Sequence, residues 1–191
     1  MIVGITAGIG AGKSIVSRVL RSKGFPVYDC DFEARIIMDN SPELKEEIAH
    51  NLGAHCVVDS NLDRKAIAEC VFADENKRLW LNSKVHGMVL SDFLHKVKSS
   101  PHKLWFVESA ILKSSGLADV CDKIWIVRSD SNLRMKRAAE RDGCDMETVA
   151  KRMKAQENEY DDFGDLPVVI IKNDAENMLL PQINEILTQL I

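Results

Sequence analysis

The sequence lacks the features of a secreted, membrane-spanning or nucleic-acid-binding chain. Its five cysteines are odd in number and none are spaced as Cys-x-x-Cys, which argues against a disulfide framework or a zinc site and favours a reducing cytoplasm. No apolar run approaches the ~18 residues of a membrane span, and residues 1–6 lack a signal peptide's basic start. The net charge of −4 disfavours a nucleic-acid binder. We therefore expect a cytoplasmic protein that binds neither membranes nor nucleic acid.

Short apolar runs separated by helical patterns predict an α/β fold. The composition, with 46% hydrophobic and 28% charged residues, is that of an ordinary globular chain. Parallel strands that are covered on both faces read as continuous apolar runs. Such runs lie at residues 2–6, 27–28, 103–108, 123–127 and 168–171. We predict one α/β domain over residues 1–191, a three-layer sandwich around a five-stranded parallel sheet.

The turn after the first predicted strand resembles the P-loop, Gly-x-x-x-x-Gly-Lys-[Ser/Thr]. Residues 7–14 read Ala-Gly-Ile-Gly-Ala-Gly-Lys-Ser, so Ala7 replaces the first glycine. Backbone N–H groups of such a loop surround phosphate oxygens at a helix N-terminus. Lys13 would reach the β- and γ-phosphates of ATP, and the Ser14 hydroxyl would hold Mg²⁺. The predicted nucleotide-binding residues here are Gly8, Ile9, Gly10, Ala11, Gly12, Lys13, Ser14 and Ile15.

Acidic and amide side chains follow three other predicted strands. Glu108 follows the third strand, as a Walker-B acid would, or is a surface acid at a strand end. Asp29 and Asp31 follow the second strand, where one could orient Mg²⁺ and the other accept a proton. The alternative is that Asp31 caps a helix starting at Phe32. Asn173 lies in Ile-Lys-Asn-Asp, residues 171–174, which differs from the guanine-binding pattern Asn/Thr-Lys-x-Asp at its first residue. This difference favours a less specific site for adenine.

Two long insertions favour a small-molecule kinase over a switch GTPase or a motor. Residues 31–100 hold several helical patterns, and residues 129–160 form two helices joined near Gly143. Both follow strand carboxyl ends, where ligands bind in open α/β sheets. We predict a P-loop kinase-like fold in which the first insertion binds the acceptor and the second is a lid. Arg137 and Arg141 share one face of the basic lid, where they would stabilise transferring phosphate or simply face solvent.

Several motifs together resemble those of the dephospho-coenzyme A kinase family over nearly the whole chain. The Asp-x-Asp-x-x-Ala-Arg pattern at residues 29–35 is the most specific of them. The Trp-x-x-x-x-x-His pattern of residues 80–86 follows the family, but Gly87 replaces its proline. Lys113 and Ser114 stand where the family's acceptor segment ends in Phe-Glu. Other matching residues are 6–14, 64–72, Lys136-Arg137, Arg141-Asp142, Arg152, Gln156 and Asn173.

The resemblance implies a reaction and a role for several residues. It implies that ATP with Mg²⁺ phosphorylates the ribose 3′-hydroxyl of dephospho-coenzyme A, with Asp31 as the base. It implies acceptor-binding roles for Asp29, Arg35 and His86. Lys13, Arg137 and Arg141 would act on the transferred phosphate. Another small-molecule or nucleoside monophosphate kinase and a non-catalytic nucleotide-binding protein are the alternatives, and the sequence leaves the oligomeric state open.

Overall fold

A computed structural model describes residues 1–160, 162–174 and 176–190 of the chain. The chain forms two compact units, of which the first comprises Met1–Asp29 with Ser100–Ile191 and the second Cys30–Ser99. The helices, in chain order, are α1 Lys13–Ser22, α2 Cys30–Asn40, α3 Pro42–Asn51, α4 Arg64–Ala73, α5 Glu75–Ser99, α6 Ser131–Asp142, α7 Met146–Ala155 and α8 Leu179–Thr188. Within the described residues, none of these helices has the length and hydropathy of a membrane span.

A five-stranded parallel sheet forms the centre of the first unit. Its strands are β1 Ile2–Thr6, β2 Val27–Asp29, β3 Trp105–Glu108, β4 Lys123–Arg128 and β5 Val168–Lys172. Their order across the sheet is β2-β3-β1-β4-β5, and every neighbouring pair is parallel. This confirms the predicted fold class and the predicted strand runs. Parallel strands cannot be joined by a tight turn, so each connection crosses from one end of the sheet to the other.

The apolar runs of β1, β3 and β4 are largely buried, and α1 and α8 pack against the sheet. Val3 and Ile5 of β1 are fully buried, as are Phe106 of β3 and Trp125 of β4. The Phe106 and Trp125 rings lie 5.1 Å apart between centroids, in a tilted arrangement. Leu20 of α1 packs into the same core. This core fixes the carboxyl ends of β1, β2 and β3 at one edge of the sheet.

The second unit is helical and has a separate core. Leu44 and Ile48 of α3 pack with Ile67 of α4 and Leu81 of α5. A two-stranded hairpin, Val57–Val58 with Asn61–Leu62, joins α3 to α4. The sequence did not predict this hairpin, because two-residue strands carry no periodic signal.

Local hydrogen bonds define where the helices of the second unit begin. The Ser41 hydroxyl accepts from the Leu44 N–H at 3.1 Å and caps α3. The Asp63 carboxylate accepts from the N–H groups at the start of α4. Helix α2 begins at Cys30, so Asp31 lies inside its first turn. The alternative prediction that Asp31 caps a helix starting at Phe32 is therefore wrong.

Candidate active site

The loop between β1 and α1 needs glycine for its backbone conformation and for its close contacts. Gly12 has a φ of +96°, and a Cβ there would collide with the Asn173 amide. Gly10 has a φ of +77°. Ala7 is buried and is not among the described non-glycine residues with positive φ. Alanine is therefore accommodated at the position where the P-loop pattern has its first glycine.

Lys13 and Glu108 form an ion pair at the edge of the sheet. The Lys13 ammonium donates to Glu108 Oε1 at 2.7 Å. The Lys13 side chain is 15% exposed and the Glu108 side chain 3% exposed. Glu108 Oε2 is buried and, among the described residues, has no hydrogen-bond partner. Glu108 is thus an interior carboxylate beside the loop, and the alternative prediction of a surface acid at a strand end is wrong.

Asn173 holds the loop from the carboxyl end of β5. Its side-chain amide donates to the Ala11 carbonyl at 2.7 Å, and its backbone N–H donates to the Arg128 carbonyl at 2.8 Å. Only 7% of Asn173 is exposed. The Asn173 carbonyl accepts from Arg137 Nη1 at 3.2 Å. Asn173 thus links the loop to the first helix of the segment that the sequence predicts to be a lid.

Arg134 of α6 lies directly against the loop, and sequence reasoning did not single it out. Its Nε donates to the Ile9 carbonyl at 3.0 Å. A Cβ at Gly8 would collide with the Arg134 guanidinium, and one at Gly10 with the Arg134 carbonyl. Arg134 Nη2 is buried without a hydrogen-bond partner among the described residues. The spacing of 134, 137 and 141 at i, i+3 and i+7 was the sequence signal that could have identified it.

Arg141 is paired with its neighbour in the chain, Asp142. Its Nε donates to Asp142 Oδ1 at 2.8 Å, and Arg152 Nη1 donates to Asp142 Oδ2 at 3.1 Å. The hydrogen bond from Arg141 lowers the pKa of Asp142 and raises that of Arg141 itself. The two predicted lid arginines are therefore on one helix, but only Arg137 contacts the strand ends.

The residues predicted to handle the acceptor fall in both units. Asp29 ends β2 and is paired in register with Glu108 of β3. Asp31 and Arg35 are exposed residues of α2, and half-buried His86 belongs to α5, so these three lie in the second unit.

The loop, with Ser14 and Glu108 beside it, fits a nucleoside triphosphate with Mg²⁺. The loop has no Cβ at residues 8, 10 and 12, and it leads into the N-terminus of α1, whose backbone N–H groups and dipole favour phosphate. Magnesium prefers oxygen ligands, usually one or two carboxylates together with phosphate and water. The exposed Ser14 hydroxyl and the unpartnered oxygen of Glu108 are ligands of this kind.

Comparison with known proteins agrees with this geometry. The model of the dephospho-CoA kinase family matches residues 1–178. The dephospho-CoA kinase of Porphyromonas gingivalis is 34% identical over 185 residues, which are 97% of this chain and 92% of that protein. The dephospho-CoA kinase of Bacteroides fragilis is 34% identical over 189 residues, covering 97% and 90%.

Solved structures show the same fold. A crystal structure from Thermus thermophilus superposes with a TM-score of 0.82 at 29% identity, covering 100% of this chain and 95% of that one. The dephospho-CoA kinase from Campylobacter jejuni gives a TM-score of 0.67 at 22% identity, covering 99% and 94%. With a family model over most of its length and relatives at 34% identity, the chain belongs to the dephospho-CoA kinase family.

Proposed function

We propose that this protein transfers the γ-phosphoryl group of ATP to the ribose 3′-hydroxyl of dephospho-CoA, giving ADP and CoA. The observation that carries this proposal is the pairing of Lys13 with the buried Glu108 beside a glycine-rich loop, in a chain of the dephospho-CoA kinase family. A cation and an interior carboxylate at a helix N-terminus are what a triphosphate with Mg²⁺ requires.

Nucleotide binding would change the partner of Lys13. In the structure the Lys13 ammonium is neutralised by Glu108. With phosphates in the loop, Lys13 would donate to them and neutralise charge on the leaving oxygen, which releases Glu108 for the metal. When bound, Mg²⁺ supplies further neutralisation of charge on the β- and γ-phosphates. Ser14 and Glu108 are the residues that we propose to hold it.

The acceptor would be activated from the start of α2. In the transfer step the ribose 3′-oxygen forms a bond to the γ-phosphorus, and the bond from that phosphorus to the β–γ bridging oxygen breaks. Asp31 would accept the proton of the 3′-hydroxyl. General-base catalysis of this kind accelerates a reaction by roughly 10²–10⁴-fold. Asp29, Arg35 and His86 are the residues that we propose to bind the acceptor.

The basic helix α6 would stabilise the transferred phosphoryl group. Arg137 already reaches the strand ends through the Asn173 carbonyl, and Arg134 offers a buried N–H donor beside the loop. Arg141 would have to exchange Asp142 for phosphate to join them. Positive charges placed before the reaction lower the barrier because they need no reorganisation as charge develops.

Replacing Asp31 with asparagine tests the chemical step. Asp31→Asn keeps the side-chain size but removes the proton acceptor, so we expect kcat to fall by about 10²-fold or more, with little change in the Kd for ATP. Asp39→Asn is the matched control, because Asp39 lies on the same helix and pairs with Arg64 at the surface. Both variants should retain the thermal midpoint within ~2 °C, since exposed ion pairs contribute little.

Two results would contradict this role for Asp31. A folded Asp31→Asn enzyme with unchanged kcat would remove Asp31 from the chemistry and leave Asp29 as the candidate base. An equal loss in Asp31→Asn and Asp39→Asn would assign the effect to the helix and not to the carboxylate.

A further inference from the structure

Three side chains of the second unit, remote from the phosphate loop in sequence, bring soft ligand atoms together. His55 Nε2 lies 3.5 Å from Cys70 Sγ and 3.8 Å from Cys56 Sγ. The two sulfur atoms lie 3.8 Å apart, and both cysteines are free thiols. His55 and Cys56 belong to a short 3₁₀ turn after α3, and Cys70 belongs to α4. Cysteine spacing alone argues against a zinc site, but the fold brings in the third ligand from α4, 14 residues after Cys56.

These separations are those of ligands on one tetrahedral metal ion. Bonds of about 2.3 Å from zinc to sulfur and about 2.0–2.1 Å to nitrogen, at tetrahedral angles, separate two sulfurs by about 3.8 Å and a sulfur from a nitrogen by about 3.5 Å. The structure gives 3.8 Å between the sulfurs and 3.5 and 3.8 Å between sulfur and nitrogen. A single ion would therefore reach all three atoms with little movement of the protein.

The backbone around the three ligands is shaped to present them. Gly53 has a φ of +133°, and a Cβ there would lie 2.6 Å from His55 Cε1. Glycine at this position thus allows the imidazole to fold back over the chain towards the sulfurs. Cys56 is fully buried and packs in the core of the second unit, which fixes its sulfur. His55 is exposed, so solvent can reach the cluster from its side.

The chemistry of the ligand set selects the ion. Two thiolates and a neutral imidazole balance the charge of a divalent cation, and thiolate with imidazole suits zinc and disfavours magnesium or calcium. Zinc would bind the two cysteines as thiolates and displace their protons.

We propose that His55, Cys56 and Cys70 bind one Zn²⁺ ion, with water in the fourth position. This site is independent of the phosphate loop and of the kinase reaction, so its presence or absence leaves the proposed function untouched. Within the described residues the group has three ligands, so its fourth position is open, in contrast to the closed four-ligand sites of purely structural zinc.

Cobalt substitution tests the site directly. The full-length protein is stripped with a chelator, kept reduced with a phosphine, and titrated with Co²⁺ and then with Zn²⁺. We expect intense tetrahedral ligand-field bands and thiolate-to-cobalt charge transfer that saturate at one equivalent, and their loss when one equivalent of Zn²⁺ is added. His55→Gln and Cys70→Ser should each weaken metal binding by at least about 100-fold, because replacing a residue that only hydrogen-bonds to a ligand already lowers metal affinity by about 10–100-fold.

Matched variants elsewhere in the chain control for adventitious binding. His102→Ala and Cys144→Ser remove an exposed histidine and a half-buried cysteine of the first unit and should leave the cobalt spectrum and affinity unchanged. A weak octahedral cobalt spectrum in the reduced protein would overturn the proposal, as would binding that neither ligand variant weakens. A Cys56–Cys70 disulfide formed in air, with no metal uptake by the reduced protein, would also overturn it.

Discussion

Removing the charge of Lys13 should destabilise the fold as well as slow catalysis. Lys13→Met leaves Glu108, whose side chain is 3% exposed, without its cation, while its second oxygen already has no hydrogen-bond partner in the described structure. Breaking a buried ion pair by removing one partner costs about 3–5 kcal/mol. For a chain of this size each kcal/mol lowers the thermal midpoint by about 2–4 °C, so we expect a loss of roughly 6–20 °C.

A second substitution separates the structural effect from the catalytic one. Lys13→Met with Glu108→Gln removes both charges, so the thermal midpoint should recover by at least half of the loss. Turnover should not recover, because neither variant can neutralise charge on the transferred phosphate. Loss of one such group costs about 10²–10³ in kcat. Turnover is measured by coupled ADP release and stability by thermal unfolding.

An exposed ion pair provides the control. Lys84→Met removes the partner of Glu47, whose side chain is 43% exposed, and should cost less than about 1 kcal/mol. A Lys13→Met protein as stable as wild type would refute the reasoning about the buried charge. Recovery of turnover in the double variant would refute the assignment of Lys13 to catalysis.

Three further predictions concern the helices. Gly87 is an exposed residue in the middle of α5 with open space around its Cα, so Gly87→Ala should stabilise the protein by about 0.5–1 kcal/mol in urea unfolding. Gly143 also lies in open space but has a φ of +61°, so Gly143→Ala should destabilise the protein. The hydrogen bond from the Thr148 N–H lowers the pKa of Asp145 in the folded protein. This carboxylate therefore stabilises α7 fully above about pH 4, the pKa of an aspartate in the unfolded chain. The loss of folding free energy in Asp145→Ala should shrink as pH falls through the lower pKa of the folded state. Hydrogen exchange in residues 131–160 should slow when ATP and acceptor bind, and unchanged exchange would count against a lid.

The sheet was predictable from sequence because parallel strands that pack on both faces have continuous apolar sequences. Each of the five runs is a strand, and the glycine-rich turn lies where the pattern placed it. Helix starts were less predictable. Cys30 begins α2 two residues before the expected start, because nothing in the local sequence marks the transition from β2. The hairpin after α3 was missed because its two-residue strands are too short to show a periodic pattern.

Site residues within one contiguous motif could be predicted from the sequence, whereas contacts between separate helices and loops could not. The P-loop pattern identifies Lys13 because loop and helix are contiguous. Arg134 was missed because its contact with Ile9 joins residues far apart in the chain. Arg141 was assigned to the phosphate, yet Asp142, its immediate neighbour, binds it in this structure. Spacing predicts which residues share a helix face but not which nearby charge each one pairs with.

Acceptor-dependent ADP release tests the central claim most directly. Purified protein with ATP and Mg²⁺ is offered dephospho-CoA, AMP, other nucleoside monophosphates and no acceptor, with Lys13→Met as the inactive control. Our account predicts ADP release only with dephospho-CoA, in equal amount to the CoA formed. Turnover with AMP and none with dephospho-CoA would contradict it, and ATP binding without turnover on any acceptor would make the protein a non-catalytic nucleotide binder.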